Sequence, residues 1–446
     1  MRNKIIITGT FLCFVSASSY LNASGFRSFE LSARAAALGG AFVTRTGDAS
    51  SVFYNPAGLA FSSGLRFETN VFYPEMTSRV EYSQFPTPFE STLGKIRVSP
   101  FISLNIKDKF GFGIGAFTPS TMGASWPENW TGHALSIHSR FNSLYIRPVA
   151  AVKIAKFLSI GIGLDFISSD ATWKFDRIFT FQQKGSGDSL ASVSESNVSA
   201  KGIGYVAGMM LRITDNFRIG GRYQPNVDLE LEGSHYFLFP RFNDTPFSIY
   251  QDVSASLTLP QEFVLGLTYS FGRRLTFLLD YQRTGMSQIK QWDFILDPLF
   301  YDEIEDYHGT RPDQIRQGVD LNLRDTSRIM FGVEYRLIDS VLIRAGYAHQ
   351  KSAVDGLMIH PVYPDLETQI LSFGIGFDGF AYSILDPDEK IGGFALDAYF
   401  QYGFSPNSTS ALPELPATYH TSRWIVGVGV GFSFGSSKTS NPRYEE

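Results

Sequence analysis

Seven histidines and one cysteine bound the catalytic and metal chemistry open to this chain of 446 residues. Cys13 stands alone, so neither a disulfide framework nor a thiolate metal site can be assembled. His133 and His138 lie in a loop pattern without the neighbouring ligands that zinc takes. His349 falls at the end of a strand pattern. A lipid hydrolase would need a serine and a histidine held on adjacent strands, and no such pair stands out. No metal, cofactor or enzymatic role is expected. Binding chemistry is better represented. Between positions 120 and 141 the chain carries Met122, Trp126, Trp130 and Leu135. With Phe179 and Phe181 these could form a greasy landing groove for an apolar ligand. Packing between loops accounts for them equally well.

The elements that hold such residues are legible in composition. Charged residues make up 18%, below the roughly 25% of soluble domains. Aromatics make up 15%, with 40 Phe and 21 Tyr. Mean hydropathy is −0.04, and no stretch beyond the first two dozen residues is apolar for the ~18 positions of a membrane helix. The net charge is −5 and no Lys/Arg block is present, which disfavours a nucleic-acid partner. Met1 to Lys4 carries two basic side chains, Ile5 to Val15 is apolar and short, and Ser16 to Ala23 is rich in small residues. That pattern reads as a secretory signal over 1–23, cut after Ala23, with Ala17 and Ser19 as alternative sites.

The body repeats with period two. Trp424, Val426, Val428, Val430, Phe432 and Phe434 alternate with Ile425, Gly427, Gly429, Gly431 and Ser433. Successive side chains of a strand point to opposite faces, so one face is greasy and the other small. The segments run about ten residues or longer, against the five or six usual in sandwiches, and aromatics gather near their ends, as in membrane barrels. The fold expected is all-β: a transmembrane antiparallel β-barrel of about 14 strands over 62–434, apolar side facing outer-membrane lipid. The strands are placed at 64–83, 95–106, 110–119, 142–155, 157–178, 200–213, 217–237, 253–271, 274–290, 326–338, 340–350, 368–380, 391–404 and 422–434. Short turns then alternate with long connections at 74–94, 120–141, 179–199, 238–252, 291–325, 351–367 and 405–421.

Residues 24–61 do not alternate. Ser32 to Gly40 is alanine-rich and suits a short helix ended by glycine. Asp48 to Phe53 suits a second, capped turn or helix. Too small to fold alone, this stretch fits inside a barrel of that width as an N-terminal plug, or hatch, containing short helices. In Asn55-Pro56-Ala57-Gly58, Pro56 fixes its own φ and disfavours helical backbone at Asn55. The block reads as a rigid hinge into the first strand or as a gating element.

The runs Gly25-Phe26, Ala36 to Phe42 and Asp48 to Gly58 together resemble the hatch of the FadL/TodX family of outer-membrane channels for long-chain fatty acids and other hydrophobic molecules. Phe110-Gly111-Phe112-Gly113 with Thr118-Pro119, Leu259-Pro260-Gln261, and Asp325 to Arg328 are similar to later family segments, so the resemblance covers nearly the whole mature chain. It implies a hydrophobic ligand caught by external loops, passed to a pocket beside the hatch, and released sideways through an opening where the third strand kinks. Within that resemblance, Phe26 matches an N-terminal aromatic at the pocket, or serves as plug packing. Pro119, Ser120, Thr121, Met122 and Gly123 fall at the kink, or mark where strand three ends and a loop begins. Lys174-Phe175-Asp176-Arg177 is similar to a basic stretch near the family's carboxylate pocket. A carboxylate entering an apolar lumen loses hydration, which an arginine fork replaces. Arg177 is the candidate for that role; as alternatives it is solvated or pairs with Asp176, and Arg311 and Arg316 are weaker candidates. The rival functions are a lipid-acting barrel enzyme and a general porin. Family members end on an aromatic that the outer-membrane insertion machinery reads. This chain places a polar tail, 435–446, after Phe434.

Overall fold

Alternation that puts apolar side chains on one face and small ones on the other is satisfied by a sheet closed on itself, with lipid outside. A computed structural model of the protein describes residues 29–82, 87–183, 186–242, 245–296, 315–354, 358–382, 390–412 and 415–435. The signal segment with Cys13, Phe26, Arg311 and the tail after Gly435 lie outside the described residues, as do the side chains of Ser120, Phe179, Phe181 and Arg316.

The sheet contains β1 (Leu65–Glu81), β2 (Phe89–Gly94), β3 (Arg97–Ile106), β4 (Phe110–Ser125), β5 (His138–Ala155), β6 (Leu158–Gln183) and β7 (Ser186–Arg212). It continues through β8 (Phe217–Gln224), β9 (Val227–Phe242), β10 (Thr245–Leu259), β11 (Glu262–Phe271), β12 (Leu275–Thr284), β13 (Gln291–Leu296) and β14 (Ile315–Asp320). The last members are β15 (Thr326–Ile338), β16 (Val341–Gln350), β17 (Thr368–Tyr382), β18 (Lys390–Phe404), β19 (Ser408–Ser410) and β20 (Ala417–Phe434). Five neighbouring pairs form single staves interrupted part-way: β2 with β3, β8 with β9, β10 with β11, β12 with β13, and β14 with β15. Pro225 and Pro260, which cannot donate to a ladder, sit at two of these breaks. With β19 a short external addition, the wall is a closed antiparallel barrel of 14 strands. It closes where β1 pairs with β20, from Leu65↔Phe434 to Glu81↔Thr418.

Within the bilayer the greasy parity points outward as expected. Phe110, Phe112 and Ile114 are 40–45% exposed, while Gly111 and Gly115, on the other parity, face the axis and are buried. The Lys107-Asp108 turn takes positive φ at both residues, as a tight hairpin requires.

The expected boundaries need correction on the outer side. Several segments assigned to long connections are paired strand, whereas 351–367 holds none among the described residues. β6 and β7 form one hairpin from Leu158↔Leu211 to Gln183↔Ser186, through the supposed loop at 179–199. β9 and β10 fill most of 238–252, and β13 and β14 enter 291–325. Strand three does not end at Pro119; it runs to Ser125. The physical reason is an inversion of the pattern. Above the lipid the outward face meets water, so Asp228, Glu230 and Glu232 point out while Leu229 and Leu231 point in. Staves of twenty or more residues far exceed the ~9–11 needed to cross a bilayer.

Inside lies the hatch. α1 (Ala33–Ala37) is built from strong helix formers and stops where Gly39 and Gly40 take φ of 68° and 94°. α2 (Ser51–Tyr54) and a 3-10 helix (Pro56–Phe61) follow. The described hatch from Phe29 to Phe61 is almost entirely buried.

Candidate functional site

Asn55 begins the 3-10 helix in extended backbone, its Oδ1 accepting from the Ala57 N–H at 3.1 Å, with Pro56 at the first helical position. Its Nδ2 donates to the carbonyls of Val43 at 2.9 Å and of wall residue Met209 at 3.1 Å. The wall reciprocates: Ser159 Oγ donates to the Ala57 carbonyl at 2.9 Å and Asn105 Nδ2 to that of Leu59 at 2.9 Å. Gly58 lies close to Arg45, where a Cβ would meet the carbonyl oxygen at 2.8 Å. The Asn-Pro-Ala-Gly block is thus both a helix start and a wall anchor.

Charges fasten the rest of the hatch. Arg34 bonds Asp48 at 2.7 Å, Asp397 at 2.7 Å and Asp378 at 3.0 Å. Arg344 joins Asp397 at 2.6 Å to Glu334 at 2.7 Å, and Arg45 reaches Glu334 at 3.0 Å. Asp280 Oδ2 accepts from the backbone N–H groups of Phe42 and Val43 at 2.7 and 2.8 Å. Arg147, fully buried, forks onto Asp165 at 2.5 and 3.0 Å. Arg147 and Arg222 also donate to the Phe53 carbonyl, at 3.3 and 2.9 Å. These contacts stopper the axis at the height where the wall is in lipid.

Above that stopper, aromatic side chains from hatch and wall converge. Phe53 meets Phe117 edge-on at 5.0 Å, and Phe117 stacks between Phe101 at 5.8 Å and Tyr145 at 6.0 Å. Phe29 lies 6.0 Å from Phe72 and under the Arg97 guanidinium, 5.1 Å from it. Arg97 makes no ion pair among the described residues. The wall changes beside this cluster. The β3–β4 ladder runs only from Phe101↔Gly115 to Ile106↔Phe110. β4 continues for ten more residues, paired on its other side with β5. Its register shifts between Phe117↔Tyr145 and Ser120↔Ser143, one extra residue at Thr118-Pro119. This bulge resets the alternation so that Met122 and Ala124 join the inner face with Phe141 and Ser139. Thr121 bonds Asn142 at 3.2 Å, and Gly123 takes φ of 142°.

The remaining expected site residues lie further out. Trp126 and Trp130 stack at 4.6 Å, are almost fully buried, and donate to the carbonyls of Pro361 and Ser136. Leu135 packs against the same core, its carbonyl accepting from the Trp173 indole at 3.2 Å. Arg177 sits opposite Ser192 on the β6–β7 hairpin, on the order of 60 Å along β6 from Leu158. The structure therefore puts Met122 on the buried inner face of β4 beyond Phe117, and Arg177 far out on the hairpin.

The family model for outer membrane protein transport proteins (OMPP1/FadL/TodX) matches residues 14–434. The chain belongs to this family. Solved structures similar to it include a Pseudomonas aeruginosa FadL homologue, with TM-score 0.74, 17% identity, and coverage of 94% of this chain and 99% of that one. The P. putida toluene transporter TodX follows at TM-score 0.71 and 17% identity, covering 92% and 100%. A monoaromatic hydrocarbon channel, CymD, gives TM-score 0.65 and 18% identity over 93% and 100%. At such identities these likenesses bear on fold. No curated protein matches the chain. Membership in the FadL/TodX family places the barrel in the outer membrane, among transport proteins for hydrophobic compounds. Sequence reasoning about this FadL/TodX chain missed the hatch fasteners Arg34, Arg147, Arg222, Asp280, Glu334, Arg344 and Asp397. For the wall residues among them, all but Arg34 of α1, the available signal was a lone charge on the small-residue parity of a lipid-crossing strand, where a charge without an internal partner is costly.

Proposed function

We propose that the chain admits small hydrophobic molecules, long-chain fatty acids among them, and releases them sideways at β4 into the membrane. One observation carries this reading: the β3–β4 ladder stops at Gly115 while β4 runs on, directly beside an aromatic cluster whose axial exit the hatch closes. Each CH₂ moved from water to such a cluster gains about 0.8 kcal/mol, so passage is passive. Relatives described as toluene transporters and monoaromatic channels support hydrophobic cargo. Arg97, at the start of β3 over the Phe29 ring and without a carboxylate partner among the described residues, favours an acidic amphiphile that its guanidinium can pair.

Uptake of radiolabelled oleate and toluene by proteoliposomes tests this. Deleting Pro119 removes the extra residue and lets the β4–β5 register run unbroken. Uptake of both compounds should fall severalfold in a barrel that still folds, because a β4 without the extra residue is straighter and its outer half can resume the ladder with β3. Arg97→Met should slow oleate and spare toluene. Uptake unchanged by the deletion rejects lateral release; no protein-dependent uptake of either compound rejects the channel.

A further inference from the structure

Beyond the bilayer the barrel's inner face mixes apolar side chains with scattered buried polar ones, and four of the polar ones lie together. The register sets Trp173 of β6 beside Ser196 of β7, Ser196 beside His235 of β9, and His235 beside Gln251 of β10. Ser194 lies one inner position further out, beside Phe237. Ser194, Ser196 and His235 are fully buried and Gln251 is 5% exposed. Ser196 Oγ and His235 Nδ1 are 2.7 Å apart. His235 Nε2, Ser194 Oγ and both amide atoms of Gln251 make no hydrogen bond among the described residues.

An apolar side chain at each position would avoid the cost of hiding those four atoms. Their collection in one row has a use if a ligand's polar group meets them. Burial, and after it the charge of Arg177, push the His235 imidazole down to about 3, so it is neutral in the outer medium. The row then offers uncharged groups that donate and accept: two hydroxyls, an imidazole with one N–H and one lone pair, and an amide. A hydroxyl, which donates and accepts through one atom, matches that set better than a hydrocarbon, which does neither; a carboxylate would have to draw on Arg177 instead. The Phe237 ring, 4.4 Å from His235, provides an apolar platform beside it.

We propose that Ser194, Ser196, His235 and Gln251 form an outer binding station for the hydroxyl of a hydrophobic ligand, a phenol or long-chain alcohol, selecting it over the matching hydrocarbon. The station rests on the channel reading and specifies part of its cargo. The test uses the full chain in detergent, titrated calorimetrically with p-cresol, p-xylene and p-toluate, which share a shape and differ in one group. Wild type should bind p-cresol about tenfold more tightly than p-xylene, the size of effect one buried hydrogen bond gives. The His235→Phe/Gln251→Leu double variant should lose that preference and keep its affinity for p-xylene. Ser194→Ala, a smaller change, should reduce the preference about threefold in a barrel whose folding an unheated gel confirms. Equal affinities in wild type, tighter p-toluate binding, or a preference that survives in both variants overturns the station. Proteoliposome uptake separates the two readings. Protein-dependent p-xylene uptake without p-cresol preference overturns the station alone, whereas uptake of neither compound overturns the channel beneath it.

Discussion

Asp280 shows how much one side chain does in this lumen. A single carboxylate oxygen receives two hatch N–H groups, Phe42 and Val43, across more than two hundred residues of sequence. Both donors are buried with it. Leucine at this position would leave the two N–H groups without that acceptor, each costing on the order of 1–3 kcal/mol. The Asp280→Leu barrel should therefore lose its folded migration on gels at a lower temperature, and its hatch should leak ions in a planar bilayer. An unchanged melting point together with an unchanged conductance would remove Asp280 from the hatch mechanism. Arg147 poses the same problem with opposite sign, since its guanidinium is sealed between Asp165 and the Phe53 carbonyl.

At the scale of elements, the inner glycines are fitted to the hatch. A Cβ on Gly161 would stand 2.6 Å from the Ala57 nitrogen and the Pro56 carbonyl carbon; one on Gly346 would stand 2.1 Å from the Gly39 nitrogen. Gly431 has no neighbour closer than 3.6 Å to its Cβ position. Gly161→Ala should therefore cost about 1–3 kcal/mol by overpacking, whereas Gly431→Ala should be close to neutral; thermal denaturation of the pair decides it. Alternation of Gly with Phe or Val announced the barrel and its strand number, because lipid on one side enforces a strict period, while the short helices of the hatch were read from its alanines, glycines and capping residues. The same letters did not say why the inner residues are glycine, since that follows from a backbone lying against them from elsewhere in the chain. The outer strand extensions were hidden for a different reason. Their apolar face turns inward, so serines and acids at 188–199 read as loop. The bulge at Thr118-Pro119 was legible as a break in pairing, but its resetting of the inner face to Met122 depends on register.

For the whole molecule, the wall and its stopper are one cooperative object. α1 leans on β16, β17, β18 and β20, while the 3-10 helix leans on β3 to β7. The hatch thus bears on opposite stretches of the wall. Removing β20 would leave β1 and β18 as open edges in lipid, where every backbone group needs a partner. Expression of the chain without residues 417–434 should give protease-sensitive aggregate and no species of folded mobility; a folded, detergent-stable product would disprove this dependence. The seam also fixes a timetable. It welds the earliest strand to leave the ribosome to the latest, so β1 must wait, half its hydrogen bonds unmade, until the 18 residues of β20 arrive. No shortened chain has a natural resting point, and whatever escorts the polypeptide across the periplasm must shelter that raw margin throughout the wait.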